Sequence, residues 1–239
     1  MIFLDVKNLS KSHGHHRVLD DVSFNIKKGE FVSIIGANGS GKTTLLNLLS
    51  GLDSDYKGKI DFKSKFKMAY IFQNFNDSIL PWGSVIDNVK LDKNFLDYDK
   101  IKKVLKEVNL WKFKDRFCYQ LSGGMKQLVA ISRAFIYDCD FLVLDEPFSS
   151  LDHYTALRVR DKLGKLYEEN KLSVVFVSHN IDDAIFLSDK IIILGKDGKI
   201  KSILNISLPR PRTFSMASSR EFFDYRQKIL EVIKNELEK

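Results

Sequence analysis

The sequence predicts an α/β fold built on a mostly parallel β-sheet, and two observations carry that prediction. Four runs rich in apolar residues have the length of strands, and such runs are typical of strands buried on both faces of a parallel sheet. They occupy residues 31–35, 141–144, 174–177 and 189–194. Four stretches with helical patterning lie among them, and strands that alternate with helices indicate α/β architecture. They occupy residues 101–108, 123–137, 152–167 and 181–187.

Three other segments depart from this alternation. The first thirty residues alternate polar and apolar positions and contain a Lys-Lys-Gly turn, so they predict an antiparallel β layer. Residues from about 74 to 135 contain helical stretches and no clear strand, which indicates an inserted helical subdomain. Residues 219–239 place apolar residues at near-helical spacing and predict an amphipathic helix. We expect that helix to dock on its own domain, with a membrane-surface or partner role as the alternative.

The composition is that of a soluble globular protein. Hydrophobic residues make up 44% of the 239 residues and charged residues 29%, and no run approaches the roughly 18 apolar residues of a membrane-spanning helix. The opening residues reach a charge too early for a secretory signal, and Cys118 and Cys139 lack metal-ligand spacing. We therefore expect a cytosolic protein with reduced thiols. The net charge of +7 suits an anionic ligand, an anionic lipid surface or nucleic acid without choosing among them.

The segment Gly36-Ala37-Asn38-Gly39-Ser40-Gly41-Lys42-Thr43 fits the G-x-x-x-x-G-K-[ST] pattern of a phosphate-binding loop. It follows a predicted strand and opens a predicted helix, where glycines let backbone N–H groups converge on phosphate oxygens. Lys42 is expected to reach the β- and γ-phosphates, and the Thr43 hydroxyl to bind Mg²⁺. A strand–helix turn with a surface lysine is the alternative that this context disfavours. The candidate nucleotide-binding residues are Gly36, Asn38, Gly39, Ser40, Gly41, Lys42, Thr43 and Thr44.

An acidic pair, Asp145 and Glu146, directly follows the apolar run 141–144. Asp145 at the end of a buried strand is suited to the coordination sphere of Mg²⁺. Glu146 beside it is suited to orient and deprotonate an attacking water as a general base. An acidic pair alone more often caps a helix, but together with the phosphate loop it indicates a nucleotide-hydrolysing site.

The segment Leu121-Ser122-Gly123-Gly124-Met125-Lys126-Gln127 points to a family. Ser122 is a good helix N-cap and the glycines leave N–H groups accessible to an anion, with a ligand-free helix start as the alternative. Together with the motifs above, it makes nearly the whole chain resemble the ATP-binding cassette (ABC) ATPases, which have the P-loop nucleotide hydrolase fold. In that family the signature helix contacts the γ-phosphate held by the other protomer. The resemblance therefore implies that Ser122, Gly123 and Gly124 complete a site in trans.

Three further motifs resemble those of the same family, in the same order along the chain. Ile71-Phe72-Gln73 resembles the Q-loop, Ser149-Ser150-Leu151-Asp152 the D-loop, and Phe176-Val177-Ser178-His179 the switch histidine at the end of a strand. The resemblance implies ATP and Mg²⁺ as cofactors and Asp152 at a dimer interface that holds the nucleotide. It implies Mg²⁺ ligands Thr43, Gln73 and Asp145 and catalytic residues Glu146, His179 and Gln73.

Two segments resemble a narrower group, the importer ATPases of the nitrate, sulfonate and taurine type, which also serve some pyrimidine precursors. They are Leu80-Pro81-Trp82, followed by Asp87-Asn88-Val89, and Leu208-Pro209-Arg210-Pro211-Arg212. The alternatives are a proline turn with a half-buried tryptophan and a basic extended linker. The group implies a homodimer attached at the cytoplasmic face of the membrane to a permease, with an extracytoplasmic solute-binding protein and no nucleic acid. An exporter or lipid-handling ATPase is the main rival function, ahead of a soluble non-transport cassette protein.

The chain departs from the family pattern at a few positions. His13 aligns with an aromatic residue that usually stacks on adenine, and an imidazole also stacks, more weakly. A metal site formed by His13, His15 and His16 is a less favoured alternative, because no adjacent carboxylate or cysteine completes it. Leu128 stands where the signature helix usually carries arginine, and Asn180 where aspartate commonly follows the switch histidine.

These assignments divide a single ABC ATPase domain, residues 1–239, into three parts. Residues 1–73 and 137–210 are the expected nucleotide-binding core. Residues 74–136 are the expected helical subdomain with the signature segment, and residues 211–239 the expected C-terminal helical tail.

Overall fold

The computed structural model describes residues 1–74, 78–90 and 97–237. Within these ranges the chain forms nine strands and seven α-helices. The strands are β1 Ile2–His13, β2 His16–Lys27, β3 Phe31–Gly36, β4 Lys57–Phe62, β5 Met68–Ile71, β6 Phe141–Asp145, β7 Ser173–Val177, β8 Lys190–Leu194 and β9 Ile200–Asn205. The helices are α1 Lys42–Ser50, α2 Val85–Val89, α3 Tyr98–Glu107, α4 Gly123–Ile136, α5 His153–Asn170, α6 Ile181–Leu187 and α7 Arg220–Leu237.

Six strands form the central sheet, in the order β5-β6-β7-β3-β8-β9. The first five run parallel and β9 is antiparallel at one edge, so the predicted mostly parallel sheet is confirmed. All four predicted apolar runs are strands of this sheet. The sequence prediction missed both edge strands, because β5 is only four residues long and β9 mixes lysine and serine with its apolar residues. Edge strands are buried on fewer sides and need less continuous apolar sequence.

A second sheet, antiparallel, has the strand order β2-β1-β4 and confirms the predicted N-terminal β layer. Its third strand, β4, comes from beyond the first thirty residues. The hairpin that joins β1 to β2 turns at Gly14, whose φ of 57° is accessible to glycine at low cost. This sheet covers one face of the central sheet together with α1.

The central sheet is apolar on both faces, as continuous apolar runs predict. In β3, Phe31 and Ile35 point into the core formed with the helices, whereas Val32 and Ile34 point into the core shared with the antiparallel sheet and α1. The same alternation holds in β6, β7 and β8. The central strands are therefore fixed from two sides, which makes their ends a rigid base for a site.

The region between the two halves of the central sheet is helical in its described parts, 78–90 and 97–136. Helix α2 begins at Ser84, whose side chain accepts a hydrogen bond from Asp87 N while the Asp87 carboxylate accepts from Ser84 N. Buried Asn88 accepts from Leu80 N at 2.7 Å and donates to Leu80 O at 2.9 Å. Arg133 of α4 reaches back to Asn88 O at 3.1 Å. These bonds fix the Leu80 loop to the signature helix.

The C-terminal helix α7 packs on α6 and β8 and buries Phe222 and Ile229, so the expected docking on its own domain is confirmed. The segment before it is not the extended linker given as an alternative. Arg212 is buried and donates to the carbonyls of Ile185, Phe186 and Ser188 at 2.7 to 3.1 Å, where α6 ends. No helix in the described ranges is long and apolar enough to cross a bilayer.

Candidate active site

Four parallel strands of the central sheet end at one edge, and each delivers a predicted site residue there. Strand β3 leads into the phosphate loop at Gly36, and β5 ends two residues before Gln73. Strand β6 ends at Asp145, and β7 ends two residues before His179. Because carboxyl ends of parallel strands share one edge, residues far apart in sequence meet in one crevice, the usual place for a ligand in such sheets.

The phosphate loop is closely packed against its surroundings. A Cβ on Gly36 would lie 2.3 Å from the Leu194 carbonyl oxygen, and one on Gly41, whose φ is 94°, would lie 2.8 Å from Val18 O. Only glycine fits at either position. The loop backbone therefore follows a path that no other residue type allows, with α1 beginning immediately after it.

Lys42 is buried at the start of α1 and curls over the loop. Its Nζ donates to Gly36 O at 3.1 Å and to Ala37 O at 2.9 Å, and burial lowers its pKa. Ser40 Oγ is fully buried and has no hydrogen-bond partner within the described residues. A buried ammonium held only by carbonyls, next to an unpaired hydroxyl, fits a loop built to receive an anion such as a nucleotide phosphate.

Asp145 lies buried beside the phosphate loop, at the end of β6. Its carboxylate accepts a hydrogen bond from Tyr70 Oη at 3.4 Å, and its interaction with the Thr43 hydroxyl acts to lower its pKa. Burial is the main cause that raises the pKa of Asp145, and the neighbouring Glu146 raises it further. A bound cation would favour the ionised form. A carboxylate and a hydroxyl are hard oxygen donors, so Thr43 and Asp145 fit Mg²⁺.

Glu146 contacts both of the other predicted catalytic residues. Gln73 Nε2 donates to Glu146 Oε2 at 3.1 Å, and His179 Nε2 contacts the other carboxylate oxygen, Oε1. The backbone of Glu146 has a φ of 47°, a rare conformation for a non-glycine residue, and its N–H donates to Val177 O of β7 at 3.1 Å. Such strain is typical of functional positions. The carboxylate is thus oriented by residues from two neighbouring strand ends.

Comparison with known proteins identifies the family. The model of the ABC transporter family matches residues 19–149. The chain belongs to the ABC transporter family. It is 38% identical to the aliphatic sulfonates import ATP-binding protein SsuB of Bacillus cereus over 235 residues, 94% of this chain and 92% of that protein. The chain is accordingly an ATPase that binds ATP, as its sequence motifs predict.

Solved structures of other ABC cassettes share the fold. A dimeric, post-hydrolysis structure of the ATP-binding cassette MJ0796 bound to ADP and Pi is 31% identical, with a TM-score of 0.71 over 86% of this chain and 100% of that one. The cassette cbiO1 of Clostridium perfringens has a TM-score of 0.79 over 100% of this chain and 99% of that one at 22% identity. The P-loop nucleotide hydrolase fold predicted from the sequence is confirmed.

The signature residues of this ABC ATPase lie at the start of α4, and the D-loop residue Asp152 lies at the start of α5. Ser122 caps α4 by accepting from Met125 N at 3.4 Å, and Asp152 caps α5 by accepting from Thr155 N at 3.0 Å. A Cβ on Gly124 would lie 2.1 Å from Thr155 Cγ2, so the two helix starts touch. These described contacts do not include the phosphate loop. The predicted roles of Ser122, Gly123, Gly124 and Asp152 stay predictions.

His13 ends β1 opposite His16, in the hairpin whose second strand packs on the phosphate loop through Val18. Adenine stacking by His13 stays a prediction. Among the described residues, no group of three His, Cys, Asp or Glu side chains is arranged to hold a metal ion, so nothing supports the histidine-metal alternative.

Trp82 is exposed rather than half-buried, with 71% of its surface accessible, so the packed-tryptophan alternative is wrong. Two other exposed aromatic residues, Phe117 and Tyr119, stack on each other with ring centroids 5.6 Å apart. Tyr119 N donates to Pro81 O at 3.3 Å, which holds the two segments together. The result is an aromatic patch formed by Trp82, Phe117 and Tyr119, the last two of which closely precede the signature residues in sequence.

Sequence reasoning missed Tyr70 as a site residue. Besides Asp145, its hydroxyl is 3.5 Å from Asn47 Oδ1 of α1, and burial raises its pKa. Its place three residues before Gln73 offered one signal, because both residues lie at the carboxyl end of the same strand, where ligand-binding residues collect in a parallel sheet. The prediction lacked β5, however, and so had no strand on which to place it.

Proposed function

We propose that the chain is the ATP-hydrolysing subunit of a membrane importer for a small solute. It works as a homodimer at the cytoplasmic face of the membrane, attached to a permease that receives solute from an extracytoplasmic binding protein. The sulfonate, nitrate and taurine type, with pyrimidine precursors as a further possibility, is the expected solute class. The relative named for import of aliphatic sulfonates supports this choice.

Nucleotide binding is assigned to the phosphate loop, residues 36–44, with Lys42 as its cation. The peptide N–H groups of the loop and the Lys42 ammonium bind the phosphates, and His13 stacks on adenine. We assign Thr43, Gln73 and Asp145 to hold Mg²⁺, which neutralises phosphate charge when bound. The buried, carbonyl-bound Lys42 and the Thr43–Asp145 contact support this assignment.

Glu146 is assigned as the general base that takes a proton from the attacking water. Gln73 and His179 orient its carboxylate from opposite sides, and the three-residue contact is the observation that carries the proposal. A base held by two partners loses less orientational freedom in the transition state, which favours proton transfer. An exporter ATPase would use the same chemistry, so the choice of importer rests on the segments 80–82 and 208–212 and on the relative.

Completion of the site in trans is assigned to Ser122, Gly123 and Gly124, with Asp152 at the dimer interface. In one protomer Ser122 and Asp152 cap their own helices and Gly124 lies against Thr155 of α5. None of these described contacts is with the phosphate loop, which supports a role toward a second copy. The dimeric state of the 31%-identical cassette is consistent with this. We also propose that 1–73 and 137–210 form the core, 74–136 the helical subdomain and 211–239 the tail; residues 75–77, 91–96 and 238–239 lie outside the described part.

Purification from host membranes tests the proposal. The tagged chain should co-purify with a membrane permease, and its ATPase activity in vesicles should rise when an alkanesulfonate-loaded binding protein is added. Repeating the measurement with nitrate or taurine in place of the sulfonate ranks the solute classes by how far each raises the ATPase activity. If ATPase activity is present but no membrane protein co-purifies, the importer assignment is wrong while the ATPase assignment stands.

A further inference from the structure

Helix α6 follows the switch histidine after a single intervening residue, so its position determines where His179 points. Asn180 caps the helix, and its Oδ1 accepts from Asp182 N at 2.9 Å and from Asp183 N at 3.3 Å. Ser178 Oγ accepts from Asn180 N at 3.0 Å. The histidine is thus carried by a short segment bonded to the first turn of α6. With seven residues, α6 is too short to be stable without tertiary contacts.

Two arginines from other helices hold that first turn. Arg160 of α5 pairs with buried Asp183 at 3.3 Å. Arg226 of the C-terminal helix donates from Nε to Asp182 Oδ1 at 2.7 Å and from Nη2 to Oδ2 at 2.6 Å. The Arg226–Asp182 pair is the better defined of the two, because two guanidinium nitrogens each donate to a separate carboxylate oxygen. Such bidentate pairs fix orientation as well as distance.

Arg226 is itself firmly placed. It lies on the same face of α7 as the buried residues Phe222 and Ile229, four positions after one and three before the other. Its guanidinium lies 5.5 Å from the Phe222 ring centre. With Leu230 it lines an open cavity of about 460 Å³ whose other wall includes His179 and Asn180. The C-terminal helix therefore reaches the immediate surroundings of the switch residue.

We propose that Arg226 is a positioning residue for ATP hydrolysis, acting on His179 through Asp182 and the first turn of α6. The proposal rests on the proposed role of His179 beside Glu146. Docking of the C-terminal helix is then one of the contacts that fix the orientation of His179.

A purely structural role makes a different prediction. Partly exposed ion pairs contribute little to stability, so a structural pair would lower the melting temperature slightly and leave kcat intact. A positioning role predicts the reverse, a loss in kcat out of proportion to any loss of stability. The KM for ATP should stay unchanged in either case, because α7 packs chiefly on α6 and β8.

The test uses the full chain, four single variants and one double variant. Arg226→Gln should lower kcat about tenfold with the KM for ATP unchanged, because small displacements of a catalytic group cost large factors in rate. Arg226→Lys should restore part of that loss, since it keeps the charge without the fork. Asp182→Asn should resemble Arg226→Gln, and combining both should add little. Lys228→Gln, an equal loss of charge on the same helix, is the control and should match wild type.

Specific results overturn the proposal. Unchanged kcat in both Arg226→Gln and Asp182→Asn, or losses in kcat that simply add in the double variant, would show that the pair does not act on His179. If Arg226→Gln folds poorly, the kcat of Asp182→Asn tests the proposal instead, because that variant leaves every apolar contact of α7 in place. A His179→Ala variant shows whether the role of Arg226 or the role of His179 is wrong. If His179→Ala hydrolyses ATP at the wild-type rate, the proposed role of His179 and the proposed role of Arg226 are both wrong.

Discussion

Replacing Glu146 by glutamine removes a base and keeps its shape. In the native site one carboxylate oxygen accepts from Gln73 Nε2 at 3.1 Å and the other contacts His179. The glutamine oxygen can still accept from Gln73, so the side chain keeps its place, but an amide cannot take a proton. A positioned general base contributes about 10²- to 10⁴-fold to rate, and we expect hydrolysis to fall by that factor.

The phosphate loop lies on other strands and is untouched, so ATP affinity should stay within about twofold of wild type. Unhydrolysed ATP should then hold two protomers together. Phosphate release gives the rate, fluorescent-nucleotide titration gives affinity, and gel filtration with ATP and Mg²⁺ gives the dimer. Glu231→Gln, an exposed change on α7, is the control. Hydrolysis of ATP at the wild-type rate by Glu146→Gln, or a mutant that stays monomeric at saturating ATP, refutes the reasoning.

Three further changes are informative. Trp82→Ala should leave the melting temperature and basal ATPase activity unchanged, because the ring is exposed. It should weaken the free energy of binding to the permease by about 2 kcal/mol or more, seen as loss of co-purification. Co-purification as tight as that of wild type contradicts this. His13→Tyr should tighten ATP binding by about 0.5–1.5 kcal/mol if residue 13 stacks on adenine, measured by titration, and unchanged affinity argues that the base rests elsewhere. Arg212→Met should lower the free energy of unfolding by about 2–4 kcal/mol in urea titration, since it strands buried carbonyls at the end of α6; a change under about 1 kcal/mol means that water replaces the guanidinium.

The motifs of the site were predictable from sequence because each is local. The phosphate loop needs only a strand, glycines and a helix in succession, and Asp145 and Glu146 need only a buried strand before them. The contacts between these motifs were not predictable from the residues alone. The contact of Gln73 with Glu146, for example, depends on β5 and β6 being neighbours in the sheet. That order is a property of the folded sheet, and the sequence prediction did not include β5.

Other features escaped prediction because they depend on tertiary packing. Nothing in local sequence distinguishes Arg212, buried under α6, from an arginine in a solvated linker. The left-handed backbone of Glu146 is equally invisible, since glutamate has no preference for that conformation. The pairing of Arg226 with Asp182 joins positions 44 residues apart and requires α7 to dock in one orientation.

The contact between Gly124 and Thr155 has a mechanical consequence. With no side chain on Gly124, the first turns of α4 and α5 touch where a Cβ would lie 2.1 Å from the threonine methyl. Any side chain at position 124 would push the two helix starts apart, so the spacing of the signature residues from Asp152 depends on this glycine.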